Sequence, residues 1–171
     1  QAISQQPSMA DAGYNLGLLA QEEGRGDRAI GYYEGVLRMD PSHTPALLNL
    51  GLLFKEAGRL DEAERCFRRV LSREDKNEQA RVNLVSVLTA RGDLEAAESL
   101  CLEVLETNPT LSEAWLNLGV VRQALGNVPG AIDTFARAIE LKPDFSDAQY
   151  NLGIAQLLVG DFPSGWANYE A

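Results

Sequence analysis

The sequence has 171 residues, 45% of them hydrophobic, and its 25 Asp and Glu outnumber 15 Lys and Arg to give a formal net charge of −10. That length suffices for one domain core or one repeat array. The charge repels phosphate backbones and anionic bilayers, which argues against nucleic acid or membrane lipid as partners. The acidity is lopsided: residues 1–77 hold 12 acids and 10 bases, whereas 78–171 hold 13 and 5. No apolar run approaches the roughly 18–20 residues of a membrane span. Gln1-Ala2-Ile3-Ser4-Gln5-Gln6 has neither the basic start nor the apolar core of a signal peptide. A soluble, cytoplasmic chain without cofactor or metal is therefore expected. Cys66 and Cys101 are too few for a disulfide scaffold and too sparse for zinc, and read as small core residues.

A period of 34 organises the chain. Gly17, Gly51, Gly119 and Gly153 form one column, with Val85 in the remaining place. Further columns run in parallel: Gly24, Gly58, Gly92, Gly126 and Gly160; Ala29, Ala63, Ala97, Ala131 and Gly165; Tyr33, Phe67, Cys101, Phe135 and Tyr169. The spacing predicts an all-α fold with helices over about 10–23, 26–39, 44–57, 60–73, 78–91, 94–107, 112–125, 128–141, 146–159 and 162–171. Each first helix stops at the glycine of 24, 58, 92, 126 or 160, which takes a left-handed cap without steric cost. Each second helix stops before Pro41, Pro109 or Pro143, or before Asp75 in their column. Pro45, Pro129 and Pro163 fall in first turns, where a missing N–H does no harm. Ser146 with Gln149 fits a capping box, and His43 reads as a solvated turn residue.

Trp115, Leu118, Gly119, Ala131, Phe135, Ala138 and Pro143 occupy positions 4, 7, 8, 20, 24, 27 and 32 of the fourth repeat. This pattern resembles the tetratricopeptide repeat and covers essentially the whole chain. The resemblance implies a right-handed α-solenoid of antiparallel helix pairs with a concave groove lined by the first helices. The repeats then run 10–43, 44–77, 78–111 and 112–145, preceded by the end of another repeat in 1–9 and followed by a partial fifth in 146–171. With no initiator Met and position 26 at both ends, the sequence reads as a window from a longer array. Val85, Arg81, Cys101 and Asp75 make the third repeat the most divergent, and a looser or differently curved junction is expected around 73–92.

No set of nucleophile, base and acid can be assembled with His43 as the only histidine. Acidic pairs such as Glu22-Glu23 and Asp61-Glu62 sit near helix ends, where solvation or dipole complement accounts for them. The chain is read as noncatalytic. Its most informative polar column is position 6: Asn15, Asn49, Asn83, Asn117 and Asn151, five of nine asparagines. Asn costs a helix roughly 0.6 kcal/mol relative to Ala, about 3 kcal/mol for five. A primary amide pairs with both N–H and C=O of an extended backbone whatever its side chains. In tetratricopeptide proteins similar to O-linked N-acetylglucosamine transferase this position forms a peptide-binding ladder. Bonding between neighbouring helices is the alternative use of the same amides.

Tyr14, Leu48, Leu116 and Tyr150 at position 5 and Leu52 and Val120 at position 9 suggest an apolar floor, while Lys55 and Gln123 at position 12 vary as specificity residues would. A hydrophobic or mixed peptide suits this floor better than a charged one. The family's chaperone-tail clamp needs basic residues that these columns lack. Gly160-Asp161-Phe162-Pro163-Ser164-Gly165-Trp166-Ala167-Asn168-Tyr169-Glu170 resembles a stretch that closes many bacterial arrays, often before a glycosyltransferase-like domain. The sequence thus predicts a peptide- or protein-binding scaffold. The alternatives are the substrate-recognition arm of a larger glycosyltransferase, and a self-assembling scaffold joined through apolar ends at Ala2-Ile3 and Trp166/Tyr169.

Overall fold

The residues that begin and end each helix recur with the sequence period, and the helices lie where that period predicts. The computed structural model describes residues 9–170; the expectations placed on residues 1–8, including Ala2, Ile3 and Pro7, and on Ala171 lie outside the described residues. Ten helices follow in order: α1 (Met9–Glu22), α2 (Gly26–Met39), α3 (Thr44–Glu56), α4 (Leu60–Leu71), α5 (Glu78–Arg91), α6 (Leu94–Thr107), α7 (Ser112–Ala124), α8 (Val128–Leu141), α9 (Ser146–Leu158) and α10 (Phe162–Tyr169). The five glycines after the first helices have φ between 70° and 86°, a region where a Cβ is strained. Asn127 Oδ1 accepts the Gly130 N–H at 3.0 Å, and Asp161 Oδ1 accepts the Ser164 N–H at 3.3 Å, so α8 and α10 are side-chain capped.

Two local expectations are revised. No capping box forms at α9, where Phe145 is the N-cap and Ser146 is already helical. Instead the Gln149 side-chain amide donates to the Pro143 carbonyl at 3.0 Å, as the Trp115 indole N–H does to Pro109 at 2.9 Å. Position 4 therefore ties each of these first helices to the proline turn before it. His43 is not a freely solvated turn residue, because its side chain is only 12% exposed. Its Nδ1 accepts the Ala46 N–H at 3.1 Å, capping α3, and its ring lies 5.1 Å from that of Tyr14.

The chain divides into two compact units, residues 1–80 and 81–171. In the first, α1 packs on α2, α2 on α3 and α3 on α4; in the second, α6 packs on α7, α7 on α8, α8 on α9 and α9 on α10, with α7 also touching α9. Most of α5 belongs to the second unit. The buried side chains are those of the repeat columns: Tyr33, Leu47, Phe67 and Val70 in the first unit, and Leu118, Val121 and Phe135 in the second.

Close approach inside three of the helix pairs depends on one glycine and one ring. A Cβ added to Gly17 would lie 2.3 Å from Tyr33, one on Gly51 would lie 2.7 Å from Phe67, and one on Gly119 would lie 2.3 Å from Phe135. Only a hydrogen fits beneath these rings. The third repeat has Val85 in the glycine column and Cys101 in the ring column, and both are 1% exposed. A larger side chain in the glycine column thus accompanies a smaller one in the ring column, and the two substitutions are complementary in size. At Gly153 a Cβ would meet the backbone of Tyr169 and Gly165 at 2.7 and 2.8 Å, so here the helix backbones themselves come close. Tyr169 consequently turns outward, with its ring 5.1 Å from that of Tyr150 and 5.8 Å from that of Trp166.

Candidate peptide-binding face

In the first unit, the face expected to bind peptide comes from α1 and α3. Asn15 is exposed on α1 and Tyr14 beside it is half-buried; on α3, Leu52 and Lys55 are half-buried, whereas Leu48 is buried and adds floor rather than open surface. Asn49 is committed to the protein. Its Nδ2 donates to the Tyr14 hydroxyl and to the Tyr33 hydroxyl, each at 3.2 Å, and the Tyr33 hydroxyl donates to Gln21 Oε1 at 2.5 Å. Burial pushes the Tyr33 phenol above its ordinary value, opposed by the bond from Asn49. The amide thus acts as a cross-helix link, joining α1, α2 and α3.

In the second unit the corresponding residues lie on α5, α7 and α9. Asn83 is half-buried and engaged. Asn117 Nδ2 donates to the Val82 carbonyl at 3.3 Å, and Asn151 Nδ2 donates to the Asp147 carbonyl one turn back at 2.6 Å. Leu116 and Val120 are half-buried on α7, and Tyr150 is exposed on α9. Gln123, one turn beyond Val120, differs from all of these: its Oε1 is buried and has no hydrogen-bond partner. An acceptor taken from water without a replacement costs about 1–3 kcal/mol.

The tetratricopeptide repeat family profile matches residues 20–86, 55–119 and 88–157. The chain belongs to the tetratricopeptide repeat family. Solved structures share the fold of this tetratricopeptide chain at low identity. MamA from Desulfovibrio magneticus RS-1 is 18% identical, with a TM-score of 0.81 over 96% of this chain and 93% of that one. TTC0263, a thermophilic TPR protein of Thermus thermophilus, is 22% identical, with a TM-score of 0.81 over 94% and 88%. YrrB, described as a TPR protein with an unusual peptide-binding site, is 23% identical, with a TM-score of 0.69 over 93% and 82%. A search of curated proteins finds no match.

Within this tetratricopeptide framework the sequence columns located the first-helix residues but not the bonds among them. Nothing in the sequence pairs Gln21 with Tyr33, since only the fold brings the end of α1 beside the middle of α2. The cysteines sit where the columns predicted, buried and unpaired with one another. Burial raises Cys66 to about 11 and Cys101 to about 12, so both remain protonated thiols and poor nucleophiles at neutral pH. Among the described residues no cluster of His, Cys, Asp and Glu is arranged to hold a metal ion, and no helix is long and apolar enough to cross a membrane.

Proposed function

We propose that the chain is a noncatalytic interaction scaffold that takes an extended peptide segment on its first-helix face. In the second unit the contacting residues are Leu116, Asn117, Val120 and Gln123 of α7 with Tyr150 and Asn151 of α9. The observation that carries this reading is the buried, unpartnered Gln123 oxygen, on a column where groove residues vary. Rotation of the half-buried Gln123 side chain toward the face would let that oxygen accept a backbone N–H of a docked peptide and recover the cost of its desolvation. Leu116 and Val120, one helical turn apart, supply apolar contact, and Tyr150 offers a ring with a polar tip. Membership of a family built for protein contacts supports a peptide or protein as the ligand class.

The Asn column then has two duties. One donor of Asn117 holds the Val82 carbonyl, leaving the second donor and the side-chain carbonyl to face a ligand backbone. The test uses peptides selected from a random display library on the intact 171-residue chain, with affinities measured by calorimetry. Gln123→Leu and Asn117→Ala should each weaken the selected peptides about five- to fiftyfold, about 1–2.3 kcal/mol, with helicity unchanged. Unchanged affinity in both variants, or amide-exchange protection confined to α8 and α10, would overturn the proposal.

A further inference from the structure

In the first unit a groove of about 500 Å³ opens between α2 and α4, floored by Leu47, Leu50 and Phe54 of α3. Its α4 wall presents Arg65 and Arg69, one turn apart, both exposed and in no ion pair among the described residues. Arg59, also in the wall, is differently placed: it is held by Glu62 at 3.0 Å and lies over the Phe54 ring at 4.2 Å. The groove therefore has an apolar floor and a rim of three arginines against two carboxylates, Glu34 of α2 and Glu62 of α4; with Glu62 held by Arg59, Arg65 and Arg69 leave the rim with a net positive charge.

Two periods later the same position in the repeat has another chemistry. Leu37, Leu47, Leu50 and Phe54 of the first groove correspond to Leu105, Trp115, Leu118 and Arg122 of a second, also about 500 Å³. Its α6 wall projects Leu102, which is 43% exposed. Glu95, Glu103 and Glu106 are exposed around it and in no ion pair among the described residues, and α6 carries no basic side chain. Glu98 alone is matched, by Arg122 at 3.3 Å. The chain thus displays an apolar groove edged by free cations and, elsewhere, an apolar ridge edged by free carboxylates.

We infer that a second copy of this chain docks its α6 ridge into the α2–α4 groove, with Leu102 entering between the walls and Glu103 and Glu106 meeting Arg65 and Arg69. Charge selects this pairing. Residues 1–77 carry a net −2, from 12 acids and 10 bases, and residues 78–171 carry −8, from 13 and 5. Setting two second halves together confronts the two most acidic surfaces, whereas ridge in groove places opposite signs in contact. Because groove and ridge are different surfaces, the contact is heterologous, and each copy still offers one unused groove and one unused ridge unless a ring closes. None of these residues belongs to the α7 and α9 face proposed for peptide, so the two readings fail independently.

Sedimentation equilibrium of the intact chain at low and high salt tests the inference. The average mass should rise with protein concentration at about 50 mM salt, and the association should weaken at least severalfold at about 500 mM. Arg65→Glu with Arg69→Glu, and separately Glu103→Arg with Glu106→Arg, should each lower the association constant tenfold or more. Mixing these two variants should restore a complex of one with the other, because each retains the surface that the other now fits. Circular dichroism of both variants checks that they fold. A chain monomeric at every concentration in low salt would overturn the inference. So would self-association that both charge reversals leave intact, or variants that fail to rescue one another.

Discussion

Gly119 lies so close under the Phe135 ring that a Cβ built on it would stand 2.3 Å from Cε1. By helix propensity alone, Gly→Ala in mid-helix stabilises by about 1 kcal/mol. Here steric conflict wins, since the ring is wholly buried and has no room to withdraw. Gly119→Ala should therefore destabilise by about 1–3 kcal/mol in urea unfolding. Gly31→Ala on α2, where an added Cβ meets nothing within 4 Å, should instead stabilise by about 1 kcal/mol. Equal effects at the two sites would refute the contact-based account.

The third repeat allows a sharper test of the same contact. Cys101→Phe alone should be strongly destabilising, because Val85 occupies the space that glycine leaves open elsewhere. Val85→Gly alone should cost about 2 kcal/mol or more through lost packing and helix propensity. Combined, the two changes recreate the glycine–ring pair of the other repeats. The double variant should be more stable than the sum of the single effects predicts by about 1–3 kcal/mol, read from a double-mutant cycle.

Alkaline conditions should expose the buried thiols. Burial raises Cys66 from 9.0 to about 11 and Cys101 from 9.0 to about 12. Between those limits the unfolded chain has released protons that the folded chain still holds. Stability is therefore fully present below pH 9 and declines as pH rises through the folded values, by up to about 1.4 kcal/mol per pH unit for each thiol. Tyr33, raised by burial from 10.0, adds to the decline above pH 10. Urea unfolding of Cys101→Ala should show lower stability at pH 7 and a shallower loss between pH 9 and 11 than the parent chain.

Loss of the His43 cap should act locally. His43→Ala removes the acceptor for the Ala46 N–H and should cost about 1 kcal/mol, whereas His43→Asn keeps an acceptor within reach and should recover most of it. Amide exchange at Ala46 should accelerate in the alanine variant. Unchanged exchange there would show that the imidazole does not protect this N–H.

The elements were legible in the sequence because glycine and proline act on their own backbones. Gly58 or Gly126 needs no distant partner to end a helix, and the Ala29, Ala63, Ala97 and Ala131 column needs only its period to be read as an interface. Bonds made across helices were less legible. Asn49 and Asn151 share a column, yet the first bridges two tyrosines and the second returns to its own helix at Asp147. The difference arises because Tyr14 is available next to Asn49, whereas a position in a repeat specifies a direction but not what has been placed there. The same reason hid the His43 cap, which depends on how the turn after Asp40 orients one ring.

The complementary pair Val85 and Cys101 also limits how such a chain can be recombined. Transplanting α7 in place of α5 would bring a glycine opposite a cysteine and leave a hole; transplanting α8 in place of α6 would drive a phenylalanine into a valine. The smallest interchangeable part is the whole hairpin with both partners, so a library that shuffles single helices among these repeats will discard most of its members before any ligand is met.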